Sequence, residues 1–176
     1  MKMLASNQTA YEKLAALGIE LEPLSVAGAS FEMAARSGNL VFVSGHIARK
    51  NGAAWTGKLG DDVSTDEGKA AARAAAIDLV ATLHGFLGDL GKVARIVKVM
   101  SLVSSSPTFT EQHVVTNGAS DLLLEVFGEA GRHARSAFGV AQLPLGACVE
   151  IELIAEVLPS QEDPRLGEAG SGSPWA

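Results

Sequence analysis

Arg135 belongs to the run His133-Ala134-Arg135-Ser136-Ala137-Phe138-Gly139, which leads through Leu143-Pro144 into Val149-Glu150-Ile151-Glu152. A guanidinium is a rigid fork of donors that matches a carboxylate at two points. An arginine opening a half-buried strand, with glutamates on the next strand, has two readings. In one it clamps the carboxylate of a small ligand. In the other it pairs with Glu150 or Glu152 as an edge-strand ion pair with no further role. Glu150 and Glu152 share a strand face by period-two alternation, so either could also position a water. With Glu156 on the same face, they fit a solvated surface as well.

Other reactive side chains give weaker signals. The four histidines, His46, His84, His113 and His133, include no pair at helical metal-site spacing. The single cysteine rules out an internal disulfide and a cysteine-based zinc site. No metal and no cofactor are expected. His46 follows Ser44-Gly45 at a strand end, where ligand-binding groups gather. His84 falls on an apolar helix stripe and reads as a satisfied core residue. Cys148 lies within a strand with no basic neighbour in sequence and reads as an inert, packed thiol. No G-x-S-x-G frame surrounds the serines, and no phosphate-loop or dinucleotide fingerprint is present.

Elements that could position these groups follow from capping and periodicity. Thr9-Ala10-Tyr11-Glu12 has capping-box spacing and opens a short helix over about 10–17, expected as an attachment outside the main core. Residues 31–36 and 40–44 alternate around Ser37-Gly38-Asn39, which reads as a hairpin. Residues 48–63 read as a loop with at most a short strand. Ser64-Thr65-Asp66-Glu67 is a second capping box and opens a helix over about 65–88, with a stripe traced by Ala70, Ala74, Ile77, Ala81 and His84. Its alanines allow close approach to a sheet. A strand is expected over 96–103, a helix over 117–127, a strand over 135–141 and the best alternating strand over 148–157. Strand pairs alternating with helices imply an α+β domain with helices on one sheet face. The division is a helical extension at 1–23, one domain at 24–158 and a loose tail at 159–176.

Bulk properties narrow the function. The chain has 176 residues, 47% of them hydrophobic, which suits one domain with a substantial core. A net charge of -6 argues against non-specific nucleic-acid binding, which needs excess Lys and Arg. The N-terminal residues carry no secretory pattern, and no apolar stretch approaches the roughly 20 residues that span a bilayer. A soluble protein of the reducing cytoplasm is expected, with no membrane partner.

Four segments in order resemble the RidA family, also called YjgF/YER057c/UK114, in its longer branch. They are Ser37 to Gly45, the alanine-rich Glu67 to Ala76, Asn117-Gly118-Ala119-Ser120, and Ala134-Arg135-Ser136 through Leu143-Pro144 to Glu152. The resemblance covers about residues 24–157. It implies a chorismate-mutase-like mixed sheet with two helices on one face. It also implies a homotrimer with clefts between subunits. In the best-known branch that cleft hydrolyses 2-imino or 2-enamino acids to 2-keto acids and ammonia, without metal or cofactor. The resemblance gives Arg135 the substrate carboxylate and Glu150 the water. Gly45 lends backbone contacts, Ala137 lines the pocket, and Asn117 starts the second helix. Phe31 stands where the deaminase branch has tyrosine, Ala137 where cysteine is common, and His46 where glutamine is frequent. Two functions follow: a 2-imino acid deaminase or related imine hydrolase, and, as the alternative, a non-catalytic trimeric module that binds small carboxylates. In either, His46 could replace the missing tyrosine hydroxyl.

Overall fold

A computed structural model describes residues 9–24 and 30–159. Most of the expected tail lies outside the described residues. Helix α1 (Ala10–Ala16) starts at the Thr9–Glu12 capping box, with both reciprocal bonds formed. Strands β1 (Ala34–Ser37) and β2 (Leu40–Ile47) form the hairpin. Its turn places Gly38 at φ 58°, a left-handed conformation that glycine adopts without a Cβ clash. Two short strands, β3 (Arg49–Lys50) and β4 (Ala53–Ala54), make a separate small hairpin. Helix α2 (Thr65–Leu87) is capped by Ser64 and Glu67 and ends on Gly88 in the left-handed region. Strand β5 (Val93–Ser104), helix α3 (Gln112–Phe127), strand β6 (Ala134–Val140) and strand β7 (Val149–Val157) complete the order.

The main sheet has the order β1-β2-β7-β5-β6. All its pairs are antiparallel except β5 with β6. A parallel pair needs a crossover, and α3 supplies it. Both long helices cover one face, where α2 meets β2 and β7, and α3 meets β5 and β6. This is the α+β architecture expected, a mixed sheet with its helices on one side. Strand β7 alternates as read from sequence: Val149, Ile151, Leu153, Ala155 and Val157 are buried beneath the helices.

Several sequence expectations need correction. The buried residues of α2 include Ala71, Ala72, Ala75, Ala76, Leu79, Val80 and Leu83; of the expected stripe Ala81 is buried, Ala70 is exposed, and Ala74, Ile77 and His84 are only half-buried. Alanine on every side of the helix blurred the stripe, because small residues serve an exposed face and a close-packed one equally. Helix α3 starts at Gln112, so Asn117 lies inside it rather than at its start. Its N-cap, Glu111, makes no side-chain capping bond, so the start carried no capping signal. Helix α1 is not peripheral. Leu14 is part of the core, and the Tyr11 hydroxyl bonds both His84 Nδ1 and the Leu90 amide. Helix α2 is long and apolar enough to cross a bilayer by length and composition, contrary to expectation, but its apolar side is packed inside the molecule.

The two long helices meet at Gly118. A Cβ there would run into the backbone carbonyl of Lys69 on α2, an obstacle that no rotamer change relieves. Alanine normally favours a helix over glycine by about 1 kcal/mol. Overpacking of a rigid contact costs about 1–3 kcal/mol and outweighs that gain. Gly118→Ala is therefore expected to lower the denaturant midpoint. An unchanged midpoint would show that the helices separate freely.

Candidate functional site

Arg135 is the second residue of β6 and is aligned with Val99, a residue with no exposure. Residues aligned across a ladder point to the same face, so Arg135 faces the helices at the sheet edge. Its guanidinium turns toward α3. Nη1 donates to Asn117 Oδ1 at 2.8 Å and to Ser120 Oγ at 3.1 Å, and Nη2 donates to the His113 carbonyl at 3.2 Å. All three acceptors are neutral. Among the described residues no carboxylate pairs with Arg135, which removes the edge-strand ion pair with Glu150 or Glu152. An arginine carries five N–H donors. The Nε donor and one on Nη2 remain for another acceptor.

Asn117 and Ser120 lie three positions apart on α3 and so share a helix face. Ser120 was not singled out from sequence, although that spacing from Asn117 was a usable signal. Its hydroxyl also meets His133 Nε2 at 3.0 Å, and His133 Nδ1 meets the Gly131 carbonyl at 2.7 Å. Ser120, His133 and Arg135, with Arg132, Asp121 and Leu124, line an open cavity of about 240 Å³. Ala137 follows Arg135 on the same face of β6 and is half-buried.

Glu150 lies elsewhere. It alternates with the buried Val149 and Ile151 and is aligned with Leu102 and Ile47, so it faces the helix-free side of the sheet. Within one chain, Arg135 and Glu150 are therefore on opposite faces. Burial raises the Glu150 pKa above the usual carboxylate range, and the neighbouring Glu152 charge adds to the effect. Gly45 lies directly against it, since a Cβ at Gly45 would collide with the Glu150 carboxylate. A side chain at position 45 would displace the carboxylate, which gives that glycine a local reason.

A bulge in β2 decides the fate of His46. From Val43 to His46 the strand advances three residues while its partner goes from Leu153 to Ile151, two residues. The extra residue reverses the alternation and turns His46 into the core. There it is 5% exposed. Nδ1 donates to the Ser44 carbonyl at 2.7 Å, and Nε2 accepts from the Thr82 hydroxyl at 2.7 Å. Burial, the largest influence, lowers its pKa and keeps the ring neutral. Both nitrogens are committed, so His46 does not supply the polar group that Phe31 lacks. Thr82→Val would leave Nε2 without a donor, and an unsatisfied buried group costs about 1–3 kcal/mol. A drop of that size in unfolding free energy is expected; no change would mean that water reaches the ring.

Phe31 is 56% exposed and borders a small cavity of about 160 Å³ with Met33, Gly45, His46, Arg49 and Asp78. Arg49 and Asp78 form an ion pair at 2.8 Å. Phe31 and Gly45 thus border one cavity, and only Gly45 is shown against Glu150, while Asn117, Arg135 and Ala137 form a second group at the β6 edge. A larger cavity, about 640 Å³, also touches Phe31 and is lined by neither Arg135 nor Glu150. Cys148 is fully buried, and burial pushes its thiol up to about 11, so it is protonated at neutral pH and inert. Among the described residues no three His, Cys, Asp or Glu side chains gather to hold a metal.

Known proteins place this geometry in a family. Residues 11–157 match the family profile described as "YjgF/chorismate_mutase-like, putative endoribonuclease". Protein TCP17 of Trypanosoma cruzi is 46% identical over 159 residues, covering 89% of this chain and 99% of that protein. The crystal structure of Atu1372 from Agrobacterium tumefaciens, a protein with unknown function, superposes with a TM-score of 0.78 at 41% identity, covering 85% of this chain and 94% of that one. A putative endoribonuclease from Shewanella oneidensis gives a TM-score of 0.81 at 32% identity, covering 85% of this chain and all 100% of the other. With its two helices on one face of a mixed sheet and Arg135 held on the edge strand, the chain belongs to the YjgF family, whose other name is RidA.

Proposed function

We propose that the protein binds a 2-imino or 2-enamino acid by its carboxylate on Arg135 and hydrolyses it to a 2-keto acid and ammonia. The observation that carries this reading is the Arg135 guanidinium, fixed by three neutral acceptors with two donors left over. A fixed, unneutralised fork suits one carboxylate. A protonated imine carbon is already electrophilic, so the remaining task is to hold it and aim a water, for which positioning supplies much of the rate. Burial raises the Glu150 pKa, which makes it a stronger proton acceptor than an ordinary carboxylate for that water.

Because Arg135 and Glu150 face opposite sides of one sheet, the complete site requires two copies, with Arg135 from one and Glu150 from the other. The helix-free face supports self-association. It exposes Phe42 at 42% and Phe138 at 50%, with Met100, Leu102 and Ile154 half-buried among them. In a closed trimer each cleft would join two subunits. Mixing is the test. Arg135→Ala and Glu150→Gln proteins, each inactive alone, should regain activity when unfolded and refolded together. Random assembly of a cyclic oligomer would give about one quarter of the clefts both residues. No recovery, with mixed oligomers demonstrated, would place both residues in one subunit's site.

A second reading rests on Phe31. With no hydroxyl there and both His46 nitrogens bonded inside the core, neither Phe31 nor His46 offers Glu150 a proton-handling partner. That favours a trimer that binds a small carboxylate without turning it over.

A further inference from the structure

We propose that His133 is a positioning residue for Arg135, acting through the hydroxyl of Ser120. The proposal rests on the carboxylate-binding reading for its functional consequence, and on the hydrogen-bond geometry for its mechanism. His133 Nδ1 lies 2.7 Å from the Gly131 carbonyl, which can only accept, so Nδ1 carries the proton. In the neutral ring Nε2 is then an acceptor, and its partner 3.0 Å away is Ser120 Oγ. The Ser120 proton is directed to His133, and its lone pairs are left to the Arg135 Nη1 donor at 3.1 Å. The polarity runs one way, from Arg135 to Ser120 to His133 to the Gly131 carbonyl. Burial, and then the charge of Arg135, lower the His133 pKa, while the Gly131 bond opposes them. The neutral ring that this polarity requires is thereby favoured.

Without His133, the Ser120 hydroxyl is free to rotate. A helical serine readily donates to the carbonyl one turn back, and its contact with the cation becomes one of several options. With His133 in place, the guanidinium is held by an acceptor that brings no negative charge. The neighbouring carboxylates are engaged elsewhere: Asp121, on the same cavity, meets Lys69 at 3.3 Å, and Glu129 meets Arg132 at 2.8 Å. Arg135 is thus anchored without being neutralised, as capture of a single anionic ligand requires.

The test needs no substrate for its first part. In the ligand-free protein the Nη1 and Nη2 protons of Arg135 should give separate NMR signals, because the guanidinium is held against rotation. Ser120→Ala and His133→Leu should merge them, and His133→Gln, which restores an acceptor near the Nε2 position, should keep them apart. In the second part, 2-oxobutyrate should bind about two- to tenfold more weakly to Ser120→Ala and to His133→Leu, the worth of one neutral hydrogen bond. The double variant should be no weaker than Ser120→Ala alone, since the residues act in series. Separate signals in His133→Leu, or additive losses in the double variant, would overturn the proposal. If the wild type does not bind 2-oxobutyrate, the carboxylate-binding reading fails, and the NMR comparison still decides whether His133 positions Arg135.

Discussion

Glu150→Gln is expected to cut imine hydrolysis by about 10²–10⁴-fold, the usual contribution of a positioned general base, while leaving binding of a 2-keto acid nearly unchanged. The same substitution should stabilise the protein at neutral pH. Burial is the main cause of the raised Glu150 pKa, so the folded state disfavours its charge. For a carboxyl group with a raised folded value, the associated stability is fully present below the ordinary pKa of 4.5 and is lost as the pH rises through the folded value. Glutamine avoids that loss. The melting temperature of Glu150→Gln should exceed that of the wild type at pH 7, and the gap should shrink as the pH falls below the ordinary carboxylate range. Activity of the wild type should also fall on acidification at a higher pH than an ordinary carboxylate would give. A variant that is less stable than the wild type at pH 7 would identify Glu150 as a structural carboxylate.

Arg135→Ala should weaken 2-keto acid binding about 10- to 100-fold, since a hydrogen bond to a charged group is worth about 1.5–3 kcal/mol. Arg135→Lys should rescue little. A lysine brings the charge but not a planar fork, and cannot at once hold Asn117, Ser120 and the His113 carbonyl and still face a ligand. Calorimetric titration with 2-oxobutyrate checks both. Equal affinity of Arg135→Lys and the wild type would reduce the role of Arg135 to bare charge.

Much of the fold was legible because local rules and tertiary packing agree. The Thr9 and Ser64 capping boxes set two helix starts, and the alternation of β7 set the buried face of the central sheet. The start of α3 was not legible, because Glu111 caps with no side-chain bond and turn-like residues precede it. The candidate site divides in the same way. Arg135 and Glu150 could be named from residue type and order. Their placement on opposite faces depends on register, which ties Arg135 to Val99 and Glu150 to Leu102. His46 shows the effect most sharply. Alternation from Val41 and Val43 directs it to the free face, and one bulged residue turns it into the core. Ser120 and His133 meet only because β6 lies alongside α3, and sequence order alone does not bring them together.

The most direct measurement is keto-acid formation from 2-iminobutyrate generated in situ by a dehydratase acting on threonine, with and without the protein. The expected result is faster release of 2-oxobutyrate with the wild type, lost in Arg135→Ala and in Glu150→Gln. Acceleration that survives Arg135→Ala, or no acceleration by a folded, ligand-binding wild type, would contradict hydrolysis at this site, and the latter would leave carboxylate binding as its function.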